Sequence, residues 1–302
     1  MLQNSEEFIP QLTADGSFTF FSNDFGEAFH SHFGAYQESL LKFVQPTLTV
    51  ALADLGGNLS TPHTQQPTLR LLDICYGLGY NTAAALATIW ALNPNCFVEV
   101  IGLEINPSVP RSAIAHHLLN NLPQPIPQLL TALATQYTVK TERLKATLLI
   151  GDARTTIEVV QKSGFQADAI FLDPFSPPNC PQLWTVEFLA QVAQCLSSTG
   201  RLATYSCAAA VRTALIAAGL KIGSTPPVGR RSPGTVASWI ATVPPLPRQE
   251  QEHLLTRAAI PYRDPHLSDS AEIILQRRQQ EQQASSLEPT SQWRKRQIVI
   301  SH

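Results

Sequence analysis

At 302 residues with 44% hydrophobic content, the chain is long enough to bury a sizeable core as one large domain or as one domain plus a tail. Its formal net charge of −2 hides an asymmetry: residues 1–199 hold 8 Lys/Arg against 16 Asp/Glu, and residues 200–302 hold 13 against 7, which suits an anionic partner or a solvated basic tail equally. Five cysteines without a C-x-x-C pair argue against a disulfide framework and a zinc site, and neither a signal-peptide pattern nor an apolar run of membrane length occurs, so a soluble, cytoplasmic protein with no metal and no membrane contact is expected.

In chain order, Thr13-Ala14-Asp15-Gly16-Ser17 before Phe18–Phe21 reads as a hairpin turn and strand. A helix is expected over Phe33–Phe43, ended by Pro46, and a polar loop over Gly56–Pro67. Alternating strands and helices follow: a strand at Leu69–Cys75, a helix at Asn81–Ala91, a strand at Phe97–Leu103 and a helix after Pro107. Residues 120–145 read as a partly helical insertion. Strands at Ala146–Ile150, Ala167–Leu172 and Arg201–Ser206 alternate with helices at Trp184–Cys195 and Ala208–Ala218, and an antiparallel pair at Leu220–Gly223 and Ala237–Val243 closes the unit. This β-α alternation predicts a mostly parallel sheet covered on both faces. Three units are expected: residues 1–67, a hairpin and helix covering the site; residues 68–243, a Rossmann-like domain; and residues 244–302, a basic tail, partly helical or disordered.

Chemistry gathers at the strand ends. Asp73-Ile74-Cys75-Tyr76-Gly77-Leu78-Gly79-Tyr80-Asn81 is a glycine turn opening a helix, with Thr82 where a dinucleotide site would prefer a third glycine. Glu104 ends the second strand, where an acid can accept hydrogen bonds from ribose hydroxyls. Asp152-Ala153 follows the third strand, where the acid could meet an adenine amino group or cap a helix. Acidic lining without the phosphate-type glycine favours a cationic, phosphate-free nucleoside, and S-adenosylmethionine fits. The fourth strand runs into Asp173-Pro174-Phe175-Ser176-Pro177-Pro178, a proline-stiffened loop. There Asp173 and the Pro174 carbonyl can accept the N–H groups of an amine, and Phe175 can stack on a base. Glu38 could reach the methionine amino group or sit on a solvated helix face. His30 reads as structural.

These residues resemble the MnmC-type tRNA methyltransferases in their stand-alone form. The resemblance rests on Asp15-Gly16-Ser17, Glu27-Ala28-Phe29-His30-Ser31, Gly34-Ala35-Tyr36-Gln37-Glu38, Tyr76–Asn81 and Asp173–Pro177, and spans about residues 12–242. It implies an α/β, Rossmann-like class I methyltransferase fold. It also implies S-adenosylmethionine-dependent methylation of the primary amine of 5-aminomethyl(-2-thio)uridine at the tRNA wobble position, giving the 5-methylaminomethyl nucleoside. Bifunctional relatives carry an FAD-dependent oxidase domain; with no second glycine fingerprint, methyl transfer alone is expected, coupled to a separate enzyme that makes the aminomethyl group. Cys75 stands where methyltransferases of this fold usually have their first glycine, Arg230-Arg231 stands for the family's usual Lys-Arg as the RNA contact, and Asn179-Cys180-Pro181 replaces a Lys-Asn-Pro-like stretch. Two other readings stay open at this point: a spermidine-synthase-like aminopropyltransferase, and a non-catalytic RNA-binding relative of the fold.

Overall fold

The computed structural model describes residues 8–49, 66–229 and 232–300. Most of the expected loop over Gly56–Pro67 and both members of the Arg230-Arg231 pair lie outside the described residues.

The amino-terminal segment is organised by one carboxylate. Strands β1 (Gln11–Leu12) and β2 (Phe18–Thr19) pair around the Asp15-Gly16-Ser17 turn, and β3 (Phe21–Ser22) pairs with β4 (Glu27–Ala28). Asp15 accepts the Ser17 N–H at 2.9 Å on Oδ1 and the Gln37 N–H at 2.9 Å on Oδ2, while Ser17 Oγ accepts the Ala35 N–H at 3.0 Å. The turn thus caps the first helix, α1 (Ala35–Glu38), from a distance, supplying acceptors for donors that a helix start leaves open. Gly34 is required here: at φ +155 its absent Cβ would lie 2.4 Å from Asp15 Cγ.

Pro46 does not end this helix. The backbone widens into a π-helical stretch, Ser39–Val44, and residues 45–49 continue as helix. A proline has no N–H to donate and its ring crowds the carbonyl four residues back, and the wider turn ahead of it absorbs both problems. Burial of Phe43, Val44 and Leu48 keeps the segment docked, and Thr47 Oγ1 donates to the Phe43 carbonyl at 2.6 Å.

Beyond residue 67 the apolar strands assemble one eight-stranded sheet. Its members are β5 (Thr68–Ile74), β6 (Phe97–Glu104), β7 (Thr138–Lys140), β8 (Leu144–Ile150), β9 (Ala167–Leu172), β10 (Leu196–Thr204), β11 (Lys221–Thr225) and β12 (Gly234–Ser238). The order is β11-β12-β10-β9-β5-β6-β8-β7, with β12 antiparallel to both its neighbours and β7 antiparallel to β8. The remaining pairs are parallel. Because β5 feeds β6 on one side while β9 lies on the other, connections leave in opposite directions at the β5/β9 boundary, the place where open α/β sheets bind ligands.

Helices α2 (Tyr80–Leu92), α3 (Ser108–Ala115) and α4 (Ile126–Gln136) cover one face; α5 (Ala153–Lys162), α6 (Val186–Gln194) and α7 (Ala209–Ala217) cover the other. Leu71, Leu72 and Ile74 on β5 expose no surface, each contributing about 1.5–3 kcal/mol by burial. Asp168, the polar interruption in β9, accepts the Arg70 N–H at 2.8 Å. The insertion at 120–145 is α4 plus the edge strand β7, which was not expected. β12 starts at Gly234 rather than Ala237, and Trp184 belongs to a 3-10 turn (Pro181–Trp184), so α6 starts after Thr185, whose hydroxyl accepts the Phe188 N–H.

The carboxyl-terminal segment is helical and packed. It holds α8 (Arg248–His253), a 3-10 turn (Arg257–Ala259), α9 (Ala271–Ala284) and α10 (Thr290–Ile300). Tyr262 and Ile274 are buried in the core on the α5–α7 face, and the Val186 N–H donates to the Tyr262 carbonyl at 3.0 Å.

Candidate functional site

The carboxyl ends of β5, β6, β8 and β9 converge on a cavity of about 290 Å³, roofed by residues of the amino-terminal segment. Of the residues expected at the site, Glu38, Tyr76, Gly77, Asn81, Glu104, Asp152, Ala153, Asp173, Pro174 and Phe175 line it. Asp73 and Gly79 stand behind the wall. Asp73 is fully buried and accepts the Thr82 hydroxyl at 2.7 Å. Burial pushes its carboxyl up to about 7, with hydrogen bonds from Thr82 and Asn81 working against the rise. Thr82, the departure from a third glycine, is therefore the tie between the helix α2 start and β5. Gly79 is left-handed at φ +86, and a Cβ there would meet Tyr76 Oη at 2.7 Å. Cys75 takes a positive φ of 65°, so the backbone asks for a glycine-like conformation where the sequence supplies a thiol.

Glu104 is held by two main-chain donors: the Gly77 N–H at 2.8 Å on Oε2 and the Asn106 N–H at 2.8 Å on Oε1. Burial raises its carboxyl above the usual range, and these hydrogen bonds oppose the rise. Each oxygen keeps a further lone pair. Asn81 Nδ2 donates to Asp173 Oδ2 at 3.0 Å, and the buried Asn81 Oδ1 has no partner among the described residues. Burial pushes the Asp173 carboxyl well above the carboxylate range; Asn81 lowers it, and the neighbouring Asp73 and Glu38 charges raise it again.

The Asp173 loop is clamped from three directions. Asp173 N–H donates to the Ile74 carbonyl at 3.1 Å, Trp184 Nε1 donates to the Phe175 carbonyl at 2.8 Å, and Tyr205 Oη donates to the Pro174 carbonyl at 2.9 Å. The last contact corrects one expectation: the Pro174 carbonyl already accepts from Tyr205, leaving one lone pair for an incoming N–H. Glu27 latches β4 onto the loop, accepting the Ser176 N–H at 3.1 Å, the Ser176 hydroxyl, and Asn179 Nδ2 at 2.6 Å. Phe175 is not an open platform either. Phe25 stacks on it at 4.4 Å between centroids and Phe29 meets it edge-on at 5.1 Å.

Glu38 is not on a solvated face. It is 6% exposed, paired with Lys42 Nζ at 2.8 Å, and accepts the Ser31 N–H at 2.9 Å and hydroxyl at 2.6 Å. Burial would raise its carboxyl, but Lys42 and Ser31 outweigh it and hold it below the usual range. His30 lines the cavity beside this pair; burial pushes its imidazole down to about 4, so it is neutral at physiological pH. Asp152 caps α5 by accepting the Arg154 N–H at 2.9 Å, and its carboxylate is forked by the Arg154 side chain, Nη2 at 2.7 Å. Burial alone would raise Asp152; the Arg154 hydrogen bonds and charge hold it low.

Lys42, Arg154 and Tyr205 were not singled out from the sequence, and Glu27 entered only as part of the motif that carries the resemblance, with no role of its own. The i,i+4 spacing of Glu38 and Lys42 could have disclosed their pairing. Nothing local announces the contacts of Tyr205 or Glu27, whose partners lie 31 and 149 residues away. Among the described residues no cluster of three His, Cys, Asp or Glu could hold a metal, and no helix is long and apolar enough to cross a membrane.

Comparison with known proteins bears on this geometry. The sequence model of a family of S-adenosyl-L-methionine-dependent methyltransferases matches residues 112–239. The crystal structure of MnmC2 from Aquifex aeolicus is 34% identical with a TM-score of 0.78, over 94% of this chain and 87% of that one. An uncharacterized protein of Methanocaldococcus jannaschii is 30% identical over 285 residues, 91% of this chain and 72% of its own length. The tRNA 5-methylaminomethyl-2-thiouridine biosynthesis bifunctional protein MnmC of Polaromonas naphthalenivorans is 28% identical over 233 residues, 73% of this chain. The chain spans about a third of that bifunctional relative, 34% of its length.

Proposed function

The chain belongs to the MnmC-type S-adenosyl-L-methionine-dependent methyltransferases, and from that premise we propose that it methylates the primary amine of a 5-aminomethyl(-2-thio)uridine at the tRNA wobble position. Family membership sets aside the aminopropyltransferase and non-catalytic readings of the sequence. The observation that carries the proposal is the Asn81–Asp173 pair: a carboxylate and an unpartnered amide oxygen, side by side in the cavity wall at a strand end. Among the described residues neither acceptor is in an ion pair, Lys42 being paired with Glu38, and two such acceptors suit an amine.

The cavity fits the cofactor. At about 290 Å³ it lies at the lower edge of small-molecule pockets. Glu104, with both oxygens fixed by main-chain donors and lone pairs to spare, would take the ribose hydroxyls, and Asp152 the adenine edge. Tyr76 and Gly77 would lie along the nucleoside. The amino-acid end needs one anionic and one cationic partner, and the buried Glu38–Lys42 pair offers both. When bound, S-adenosyl-L-methionine supplies a methyl group carried on a positively charged sulfur.

The chain's own residues then have one task, to present a neutral amine in line with that methyl. An alkylammonium must first lose a proton. Burial raises the basicity of Asp173, so its carboxylate can accept that proton as well as orient the nitrogen. The remaining lone pair of the Pro174 carbonyl takes a second N–H, with Tyr205 fixing the carbonyl's direction. The stacked Phe25–Phe175 pair gives the nucleobase an apolar wall rather than a free face. The aminomethyl group is proposed to come from a separate enzyme, and the reaction to take place in the cytoplasm.

The test is incubation with S-adenosyl-L-methionine and tRNA bearing the aminomethyl nucleoside, read by nucleoside mass spectrometry. A gain of one methyl group on that nucleoside is expected, with Asp173→Ala losing about 100-fold or more in rate while S-adenosylhomocysteine still binds. No gain with the unaltered protein refutes the assignment.

A further inference from the structure

Arg154 lines the cavity, takes no part in the chemistry proposed above, and joins segments far apart in the chain. One edge of its guanidinium holds Asp152, through Nη2 at 2.7 Å and Nε at 3.1 Å to Oδ2. The other edge, Nη1, donates to Asp264 Oδ2 at 2.9 Å and to the Asp269 carbonyl at 2.9 Å. The Arg154 side chain is 13% exposed and that of Asp264 is 0% exposed.

Asp264 is itself fixed. Its Oδ1 accepts the N–H groups of Ser268 and Asp269 at 3.1 and 3.2 Å, and its own N–H donates to Glu187 Oε2 at 2.8 Å. Arg277 closes the turn onto α9, donating to Asp269 Oδ2 at 2.7 Å and to the Arg263 carbonyl at 2.6 Å. Guanidinium donors lie in one rigid plane, so anchoring one edge sets the direction of the other. Asp152, more than a third exposed, is otherwise held through one oxygen alone, by its cap bond from the Arg154 N–H.

We propose that residues 257–284 set the affinity for the adenosyl part of the cofactor, with Arg154 as a positioning residue for Asp152 and buried Asp264 as its anchor. The inference rests on the reading of Asp152 as the adenine-facing acid. With the anchor intact, Asp152 keeps one orientation and directs its spare lone pairs into the cavity. With the anchor lost, the guanidinium is free to wrap Asp152 more closely and competes with a ligand N–H for the same oxygens. The basic third of the chain therefore has a task inside the enzyme, apart from any contact with RNA.

The test is calorimetric binding of S-adenosylhomocysteine to the full-length protein, with a melting temperature measured on each sample. Asp264→Asn keeps a carbonyl oxygen for the turn's two N–H groups while removing the charge facing Arg154. It is expected to bind about tenfold more weakly, the middle of the range for residues coupled in one ion-pair network. Arg154→Lys, which keeps the charge but not the fork, falls between it and the unaltered protein. Glu281→Ala breaks the Arg263–Glu281 pair of the same segment without touching Arg154, and leaves binding unchanged. In turnover, Asp264→Asn raises KM for the cofactor, with kcat and KM for tRNA within about twofold. Equal binding by Asp264→Asn and the unaltered protein, or equal weakening by Glu281→Ala, overturns the inference alone. Failure of the unaltered protein to bind S-adenosylhomocysteine overturns the cofactor reading and the inference with it.

Discussion

Replacing Glu27 by alanine separates the acceptor loop from the cofactor wall. Glu27 is on β4, and its carboxylate receives three donors from the segment just after Asp173: the Ser176 N–H, the Ser176 hydroxyl and Asn179 Nδ2. Hydrogen bonds to a charged group are worth about 1.5–3 kcal/mol each when buried, and these are partly exposed, so the whole latch holds about 2–4 kcal/mol. Ser176 is three residues beyond Asp173, close enough that a loosened loop shifts the carboxylate by a fraction of an ångström or more. Displacement on that scale costs about 100-fold in rate when the reaction depends on alignment. Single-turnover methyl transfer from pre-bound cofactor is expected to slow by about that factor in Glu27→Ala, and less in Glu27→Gln, which keeps an acceptor oxygen. Binding of S-adenosylhomocysteine is expected to stay within about twofold, because Glu104, Asp152 and the Glu38–Lys42 pair are untouched. Unchanged single-turnover rates, or cofactor affinity falling as far as the rate, would refute the division of the cavity into a cofactor wall and an acceptor loop.

Two further outcomes follow from strain and burial. Cys75→Gly removes a side chain from a left-handed position, gaining about 1–2 kcal/mol of relieved strain against about 0.5–1 kcal/mol of unfolded-state entropy, so urea unfolding should place it between equal to and about 1.5 kcal/mol above the unaltered protein; Cys75→Val, β-branched at φ 65°, should cost at least about 2 kcal/mol more, and equal stability of the two variants counts against strain at this position. For His30, burial puts the folded value at about 4 against an ordinary 6.5, so the unfolded chain takes up a proton first and stability is lost as pH falls from about 6.5 to about 4, by about 3 kcal/mol at most. Asp73, pushed the other way to about 7, contributes stability at low pH that fades as pH rises, so the readout is the difference between the unaltered protein and His30→Gln, which should narrow on acidification; a gap that stays constant from pH 6.5 to 4.5 would show that His30 is not buried as a neutral ring.

The sheet and the acids at its strand ends were legible because both obey short-range rules. A buried parallel strand is a continuous apolar run, and an acid placed just after it can point only toward the mouth of the sheet. Glu104, Asp152 and Asp173 follow from that pattern, as do the helices between them. What was not legible depends on long-range contacts or on a local rule being overridden. Pro46 reads as a helix stop until the π-helical turn ahead of it is known, and that turn exists because Phe43, Val44 and Leu48 all have a core to fill. Phe175 reads as an exposed aromatic on a loop, but Phe25, 150 positions earlier, is carried to it by the four-residue turn of the β3–β4 hairpin. The Pro174 carbonyl reads as free because its donor, Tyr205, sits just past the end of β10, two strands from β5.

The charge asymmetry shows the same limit from another side. A count of cations in the last third says how much charge is there, not where it points. In the folded chain Arg212, Arg248, Arg263, Arg277 and Arg296 are in ion pairs with carboxylates of that same third. Arg257 and Arg278 give their N–H groups to the carbonyls of Leu287, Ile260 and Ala258, and Arg278 also lies over the Tyr262 ring at 4.5 Å. A segment whose helices carry few buried apolar residues is held instead by guanidinium groups closing over loop carbonyls, which is why α9 is polar along nearly its whole length and buries only Ile274. Arginine suits this use because five fixed donors can satisfy several acceptors at once, whereas lysine would satisfy them singly. Arg248, Arg263 and Arg296 stay solvent-facing in their pairs, whereas Arg212, Arg257, Arg277 and Arg278 are turned inward, so the salt dependence of tRNA binding should reflect fewer phosphate contacts than the 13 cations of that third would suggest. A slope that matched the full count would mean that the inward-facing pairs, Arg212–Glu250 and Arg277–Asp269, open when RNA binds.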